Sequence, residues 1–256
     1  MPGYTITPQR VPIIKENYKQ NIIMAKSNHS YTTNRKIIEK FNSNSWLGKR
    51  CFIIGGGESL KGFDFNRLDN ELTIGINKVF KFYPNSTINY SMDSTLYNQI
   101  RQGDLDRPGE PKLSVFWDNY KGTRVFLTPM ERKQFGQDVY LVRRELHLAV
   151  NIGDLDKGIF GGNNSGTGAI TLAIALGAQN IFLLGYDMKA VNQTHFHEGY
   201  EKRDLKEFNK KLNEYRDDIT KICPLLRTVG VNVVNLNPNS DLKCFPFAKF
   251  DDVIKE

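Results

Sequence analysis

The sequence predicts an α/β protein built on a mostly parallel sheet with helices on its faces. Three observations carry that expectation. Short apolar runs recur at residues 51–54, 72–76 and 181–184. Segments of helical character separate them, and strands that alternate with helices pair in parallel through crossovers. Two glycine-rich turns, Gly55-Gly-Gly-Glu-Ser59 and Gly161-Gly-Asn-Asn-Ser-Gly-Thr-Gly168, sit where a strand gives way to a helix. At such turns small residues let backbone amides approach a ligand, and the unpaired amides and dipole of the following helix favour a phosphate.

Residues 1–46 lack strand alternation. Ile13, Ile14, Tyr18, Ile22 and Ile23 fall at loosely helical spacing, and Ile37, Ile38 and Phe41 extend the pattern into a second helical stretch. The expectation is an N-terminal helical arm over 1–46 that either covers the core or holds a second subunit in a homo-oligomer. Residues 47–256 then form a Rossmann-like nucleotide-binding domain. Its pattern opens with strand 51–54, a turn, a helix and strand 72–76, followed by a strand ending at Tyr90-Ser-Met-Asp93. Between 101 and 160, Gly103 and Pro108-Gly-Glu-Pro111 mark loops, and 113–117, 124–127 and 139–142 read as short strands. That irregular region is a candidate lid or acceptor-binding subdomain. Residues 168–176 are apolar enough for a helix and 181–184 for a fully buried strand, with a polar loop over 185–200. Leu205, Phe208, Leu212, Tyr215, Ile219 and Ile222 recur every three or four residues, which predicts a long amphipathic helix, and 231–236 reads as the last strand.

At 256 residues the chain can bury one sizeable core, and nothing in its composition demands a second. No apolar run approaches the roughly 18 residues that span a bilayer, and no signal peptide is read, so a cytoplasmic protein is expected. Cys51, Cys223 and Cys244 are odd in number and widely spaced without a C-x-x-C pair, which argues for reduced thiols over a disulfide or zinc framework. The formal charge of +7 fits a nucleotide, a nucleic acid or an acidic glycan alike, and equally a solvated surface.

The first turn matches neither G-x-x-x-x-G-K-[ST] nor the full G-x-G-x-x-G, so three glycines also fit a tight turn with no ligand. Open parallel sheets bind ligands at their carboxyl edge, where both turns and the polar strand ends Asn77, Asp93 and Asp187 are expected to meet. Asn77 can both donate to and accept from a ribose or phosphate, and Asp93 can accept from hydroxyls or ligate Mg²⁺. Each fits a loop cap as well. His195 and His197, two of four histidines, share one loop, and their i, i+2 spacing suits a general base, a metal clamp or a plain surface loop.

Taken together, I-x-G-x-G-x-S-L from Ile53, Gly75-Ile-Asn77, Ser165-Gly-Thr-Gly-Ala-Ile followed by Ala-Ile-Ala-Leu-Gly177, Ile181-Phe-Leu-Leu-Gly-Tyr-Asp187 and Asn237-Pro-Asn-Ser240 resemble the bacterial sialyltransferases of glycosyltransferase family 42. They also resemble the related MptE-like proteins, which include archaeal 6-hydroxymethylpterin diphosphokinases. The resemblance covers roughly residues 50–240 and implies a GT-A-like variant of the Rossmann-like sheet, with a nucleotide or nucleotide sugar as donor. By position it implies that Gly55, Gly56, Gly57 and Ser59 pass under the nucleotide phosphate and that Asn77 contacts the nucleotide. Ser165, Gly166 and Thr167 would approach base and ribose, Asp187 would face the nucleoside, and Asn237 and Ser240 would complete the site. His197 is the first candidate for the catalytic base and His195 the second. Gly56 and Asp93 stand where the sialyltransferases carry Asn, and there the chain is closer to the MptE-like branch. An aspartate beside phosphates implies an intervening Mg²⁺, so Asp93 is also the candidate metal ligand. The expected activity is transfer of a sugar from an activated nucleotide to an acceptor hydroxyl. The acceptor is a glycan, a small alcohol or a modified nucleic-acid base, the last as in a phage or bacterial enzyme. The alternatives are Mg²⁺-dependent pyrophosphoryl transfer from ATP to a hydroxymethylpterin-like alcohol, and a nucleotide-binding module without chemistry.

Overall fold

A strand made only of apolar residues has to be covered on both faces, which puts residues 51–54 at the middle of any sheet they join. The computed structural model describes residues 35–128, 135–147, 154–197 and 204–254. Within them the strands are β1 (Arg35–Lys36), β2 (Arg50–Ile54), β3 (Leu72–Ile76), β4 (Ile88–Ser91), β5 (Thr123–Thr128), β6 (Val139–Glu145), β7 (Ile159–Phe160), β8 (Asn180–Leu184) and β9 (Asn232–Asn235). They form one nine-stranded sheet in the order β1-β6-β5-β4-β3-β2-β8-β9, with β7 joined to β6 off that path. Each of these pairings is parallel, as an α/β Rossmann-like arrangement requires.

The helices are α1 (Ser94–Gln102), α2 (Leu113–Asn119), α3 (Ser165–Ala175), α4 (Leu205–Thr228) and α5 (Phe250–Val253). From β2 the chain winds outward through β3, β4, β5 and β6, and then returns by way of α3 to lay β8 against the other side of β2. The winding direction therefore reverses between β2 and β8, which is where open α/β sheets leave a crevice beyond their carboxyl ends. Register brings the two strands to the same level: Ile54 pairs with Leu184, the Gly55 amide donates to the Leu184 carbonyl at 2.8 Å and the Gly57 amide to the Gly185 carbonyl at 2.9 Å.

Alternation along β2 divides the core. Cys51 and Ile53 join Ile74, Tyr90 and α3 on one face, whereas Phe52 and Ile54 join Leu60, Leu68, Val79 and Phe250 on the other. Helix α3 is buried at every position from Thr167 to Ala175, which explains its lack of a polar face. It rests against β2, β3, β4 and β7, with α4 packed against it in turn. Gly168 sets the approach distance, because a Cβ there would fall 2.0 Å from the Tyr90 hydroxyl oxygen. Among the described residues no helix is long and apolar enough to cross a membrane.

Several elements differ from the sequence expectation. Residues 1–34 of the expected arm lie outside the described residues. Ile37, Ile38 and Phe41 do not extend a helix: Arg35–Lys36 pairs with β6 as an edge strand, and Ile37–Glu39 is a single 3-10 turn. No α-helix follows the first glycine turn, only the 3-10 turns Glu58–Leu60 and Phe65–Leu68. Residues 113–117 begin a helix and not a strand, since Leu113, Trp117 and Tyr120 recur at helical spacing and all three are buried. The region 101–160 contributes β5, β6 and β7 to the sheet, the first two at the positions expected from sequence. Cys51 is a buried strand residue as expected, and all three cysteines are free thiols. Cys223 and Cys244, distant in sequence, are brought side by side, and the hydrogen bond that the Cys223 thiol donates to Cys244, together with burial, pushes the Cys223 thiol up.

The contact between Gly168 and Tyr90 is open to test. The Tyr90 hydroxyl is fully buried with no hydrogen-bond partner among the described residues. Tyr90→Phe should therefore shift the unfolding free energy by less than about 1 kcal/mol. Gly168→Ala should cost about 1–3 kcal/mol, as overpacking does. Urea or thermal unfolding of the two variants measures both.

Candidate functional site

Beyond the carboxyl ends of β2, β3, β4 and β8 lies a cavity of about 460 Å³, within the range of small-molecule sites. Both glycine turns reach it. Gly55, Gly56 and Gly57 form one side, Asn163, Asn164, Ser165 and Gly166 another, and Asn77, Asp93, Asp187 and His195 also line it. The second turn leads into α3, whose N-cap Asn164 accepts from the Thr167 amide at 2.8 Å. The Asn163 amide donates to Asp218 of α4 at 2.9 Å. The amides of Ser165 and Gly166, at the first two helical positions, thus remain for a ligand at the positive end of the α3 dipole. At the first turn, by contrast, the dipole argument has no helix to act through. What that turn contributes is close backbone approach.

Asp187 joins the two sides. Its carboxylate accepts from the Ser59 amide at 2.8 Å, the Ser59 hydroxyl at 2.5 Å and the Asn237 amide group at 2.8 Å. Gly57 is required beside it, because a Cβ there would meet the Asp187 carboxylate at 2.5 Å and the Gly185 carbonyl at 2.6 Å. Asn77 sits at φ 56°, a left-handed conformation that a short polar side chain tolerates. Its Oδ1 accepts from the Ser91 hydroxyl at 2.8 Å and the Ser165 hydroxyl at 3.4 Å, so it links the end of β4 to the start of α3. Asp93 caps α1, its Oδ1 accepting from the Thr95 amide at 2.9 Å and the Thr95 hydroxyl at 2.6 Å.

The histidine loop folds over the first turn. Glu58 collects it, accepting from the Asn192 amide at 3.1 Å, the Asn192 side chain at 2.8 Å and the amides of Val191 and Gln193. The Phe196 amide donates to the Gly56 carbonyl at 3.0 Å. His195 consequently lies against Gly56, where a Cβ would be 2.9 Å from its ring, and Nδ1 is 3.0 Å from the Thr194 hydroxyl. His197 does not line this cavity. Its ring stacks on Phe82 at 4.5 Å between centroids and borders a separate small cleft, with 5.9 Å between the centroids of the two histidines.

Of the residues singled out from sequence, Gly55, Gly56, Gly57, Asn77, Asp93, Ser165, Gly166, Asp187 and His195 meet at the cavity. Ser59, Thr167, Asn237 and Ser240 stand behind its walls. Ser59 and Asn237 hold Asp187, Thr167 is engaged by Asn164, and the fully buried Ser240 donates to the Tyr186 carbonyl at 2.6 Å. Sequence reasoning missed Phe208, Leu212 and Tyr215, which close the cavity from α4, as well as Tyr186 and Lys189. The α4 residues carried the same periodicity as core positions, so nothing in the spacing marked them as a wall. Lys189 supplies a cation, paired with Asp241 at 3.3 Å.

Among the described residues, no group of three or more His, Cys, Asp or Glu is placed to hold a metal ion. Asp187 has both oxygens engaged, which leaves Asp93 as the carboxylate that could meet a Mg²⁺ arriving on a phosphate. Comparison of the chain with protein-family models, with curated proteins and with solved structures finds no match.

Two outcomes follow from these roles. Asp187→Ala should cost about 2–3 kcal/mol, since it removes three hydrogen bonds to a buried carboxylate, whereas Asp93→Ala should cost about 1 kcal/mol as the loss of a cap; thermal unfolding separates them. Glu58, against the opposing effect of burial, is held below its ordinary value of 4.5 by the bonds from Asn192, Gln193 and Val191. A lowered folded-state pKa contributes stability that is present above 4.5 and lost as the pH falls through the depressed value. Hydrogen exchange of the amides of Val191, Asn192 and Gln193 should therefore speed up, beyond the intrinsic pH effect, in acid or in Glu58→Gln.

Proposed function

We propose that the chain is a nucleotide-binding transferase that moves a sugar from a nucleotide-activated donor to an acceptor hydroxyl, with His195 as the general base. The observation that carries this reading is the convergence of both glycine turns and one histidine on a single cavity at the reversal point of a parallel sheet. The motif resemblance to the family 42 sialyltransferases and MptE-like proteins supports the same class. The amides of Ser165 and Gly166 suit the donor phosphate, the glycine turn lets that phosphate lie against backbone, and Tyr215, Leu212 and Phe208 offer an apolar face to base or sugar.

The reaction follows from this placement. The acceptor oxygen forms a bond to the anomeric carbon as the bond from that carbon to the donor phosphate breaks, and the acceptor proton passes to His195. In the tautomer whose Nδ1–H donates to Thr194, Nε2 is the accepting nitrogen. Charge on the departing nucleotide is met by the α3 amides and Lys189. If Mg²⁺ takes part, Asp93 would hold it and the ion would neutralise phosphate charge. His195 displaces His197 as first choice because it alone of the pair lines the cavity.

Thermal shift with CMP, UDP, GDP and ATP, each with and without Mg²⁺, is the first test. A ligand at 100 times its Kd should stabilise the protein by about 2.7 kcal/mol, and no shift from any of the four refutes the nucleotide reading. With an active donor, His195→Ala should lower turnover by about 10² or more while nucleotide binding persists, and His197→Ala should lower it less. An unchanged rate in His195→Ala removes that histidine from the mechanism. AMP release that depends on Mg²⁺ would replace sugar transfer by pyrophosphoryl transfer, and binding without turnover would leave a sensor.

A further inference from the structure

Cys223 and Cys244 meet where two separately anchored parts of the chain pack together. Cys223 lies on α4, buried in one core cluster with Ile219, Ile222 and Leu226 of that helix and with Leu242 and Phe245 of the segment after β9. Cys244 packs against the same cluster and keeps part of its surface exposed. Its sulfur accepts a hydrogen bond from the Cys223 thiol, and the Thr220 hydroxyl, one helical turn before Cys223, reaches it as well. The segment that carries Cys244 is held on both sides. The Asn237 side chain donates to Asp187 at 2.8 Å, the Asp241 amide to the Asp187 carbonyl at 2.8 Å and the Asn235 amide to the Pro246 carbonyl at 2.9 Å.

The two thiols are chemically unequal. The bond from Cys223 holds Cys244 below the ordinary thiol value against the opposing effect of burial, whereas Cys223, as the donor, is pushed up. In thiol–disulfide exchange the thiolate is the nucleophile. Cys244 is therefore the attacking sulfur, reached from solvent, and Cys223 the one that resolves from within. Cys51, the third thiol, is fully buried in β2 and pushed up by that burial, so it takes no part. A disulfide requires the two sulfurs to close from hydrogen-bond contact to about 2.05 Å. Pro224 eases that movement, because it has no amide and interrupts the hydrogen-bond ladder of α4 beside Cys223.

We infer that Cys223 and Cys244 form a reversible disulfide site, with a low-molecular-weight disulfide as oxidant, that staples α4 to the segment holding Asp187. First, the Cys244 thiolate bonds to one sulfur of the oxidant, whose S–S bond breaks and releases a thiolate. Next, Cys223 bonds to the Cys244 sulfur, the mixed disulfide breaks and a second thiolate leaves. The protons of the two protein thiols end on the two released sulfurs, and the two electrons that the protein loses are those the oxidant gains. The bridge joins the helix whose Phe208, Leu212 and Tyr215 close the cavity to the segment whose Asn237 supports Asp187. Its formation is independent of the ligand that the cavity takes.

The test is treatment of the whole chain with oxidised glutathione at mildly alkaline pH, followed by non-reducing peptide mapping and thermal unfolding. The expected product has a Cys223–Cys244 bridge, a free Cys51 and no retained glutathione. Closing a loop of about 20 residues should raise the Tm by about 5–10 °C, and dithiothreitol should reverse the rise. Cys223→Ala should stop with glutathione on Cys244, and Cys244→Ser should slow glutathione uptake by about tenfold or more. Glutathione retained on Cys244 of the parent chain, or thiols that react only after unfolding in guanidinium, overturn the site. A bridge that leaves the Tm unchanged or lowers it overturns the staple. Uptake by Cys223 at the parent rate in Cys244→Ser overturns Cys244 as the attacking sulfur. Peptide mapping of the parent chain decides whether the bridge forms, so that outcome does not depend on either variant folding.

Discussion

The buried carboxylate of Asp187 holds the candidate site open, and most of the surrounding geometry depends on its three hydrogen bonds. At 6% exposure it would be costly without donors. The donors come from Ser59, 128 positions away along the chain, and from Asn237, 50 positions away. One charge at the end of β8 thereby fixes the turn after β2 and the segment after β9. The pull on Ser59 also accounts for the course of the chain beyond Gly57. The Ser59 amide and hydroxyl face Asp187, and the backbone proceeds through short 3-10 turns with no α-helix.

Around that anchor, small residues keep the space from filling. Glycines at 55, 56 and 57 bring the first turn against Gly185 and His195 without side chains of their own, and Gly166 lets Tyr186 approach the start of α3, where its hydroxyl donates to the Gly166 carbonyl at 3.0 Å. The opposite wall is made by large side chains, Phe208, Leu212 and Tyr215, on a helix that also packs against α3. The asymmetry suits a nucleotide. Backbone amides meet the charged part and aromatic and aliphatic surface meets the rest.

Glu58 and Glu110 do comparable work at two ends of the same region. Each is a carboxylate that ties down a distant segment: Glu58 gathers the amides of residues 191–193, and Glu110 pairs with Lys81, 29 positions away. The first brings His195 over the glycine turn. The second lines the cleft that His197 also borders. The two histidines, adjacent but for one residue, therefore face different spaces, and the i, i+2 spacing that suggested a common side does not give them a common role.

The sequence by itself determined the class of fold and the sheet's central strands. Continuous apolar runs at 51–54 and 181–184 leave no choice but burial on both faces, and periodicities of two and of 3.6 residues reveal the other elements locally. It also marked the two glycine turns, because glycine and the Asn164 cap act through the backbone within a few residues. Tertiary structure alone decided the rest. That 113–117 is helical depends on Trp117 and Tyr120 finding a pocket with Phe80 and Phe126. That Ser59, Asn237 and Ser240 support the walls, while Tyr215 and Leu212 form one, depends on which segments meet at the end of β8. That His195 and not His197 lines the cavity depends on a bond between Phe196 and Gly56 across 140 residues of chain. Local propensity is a property of neighbouring residues, whereas a cavity is made where distant segments fail to fill the space between them, and no spacing in the chain encodes that directly.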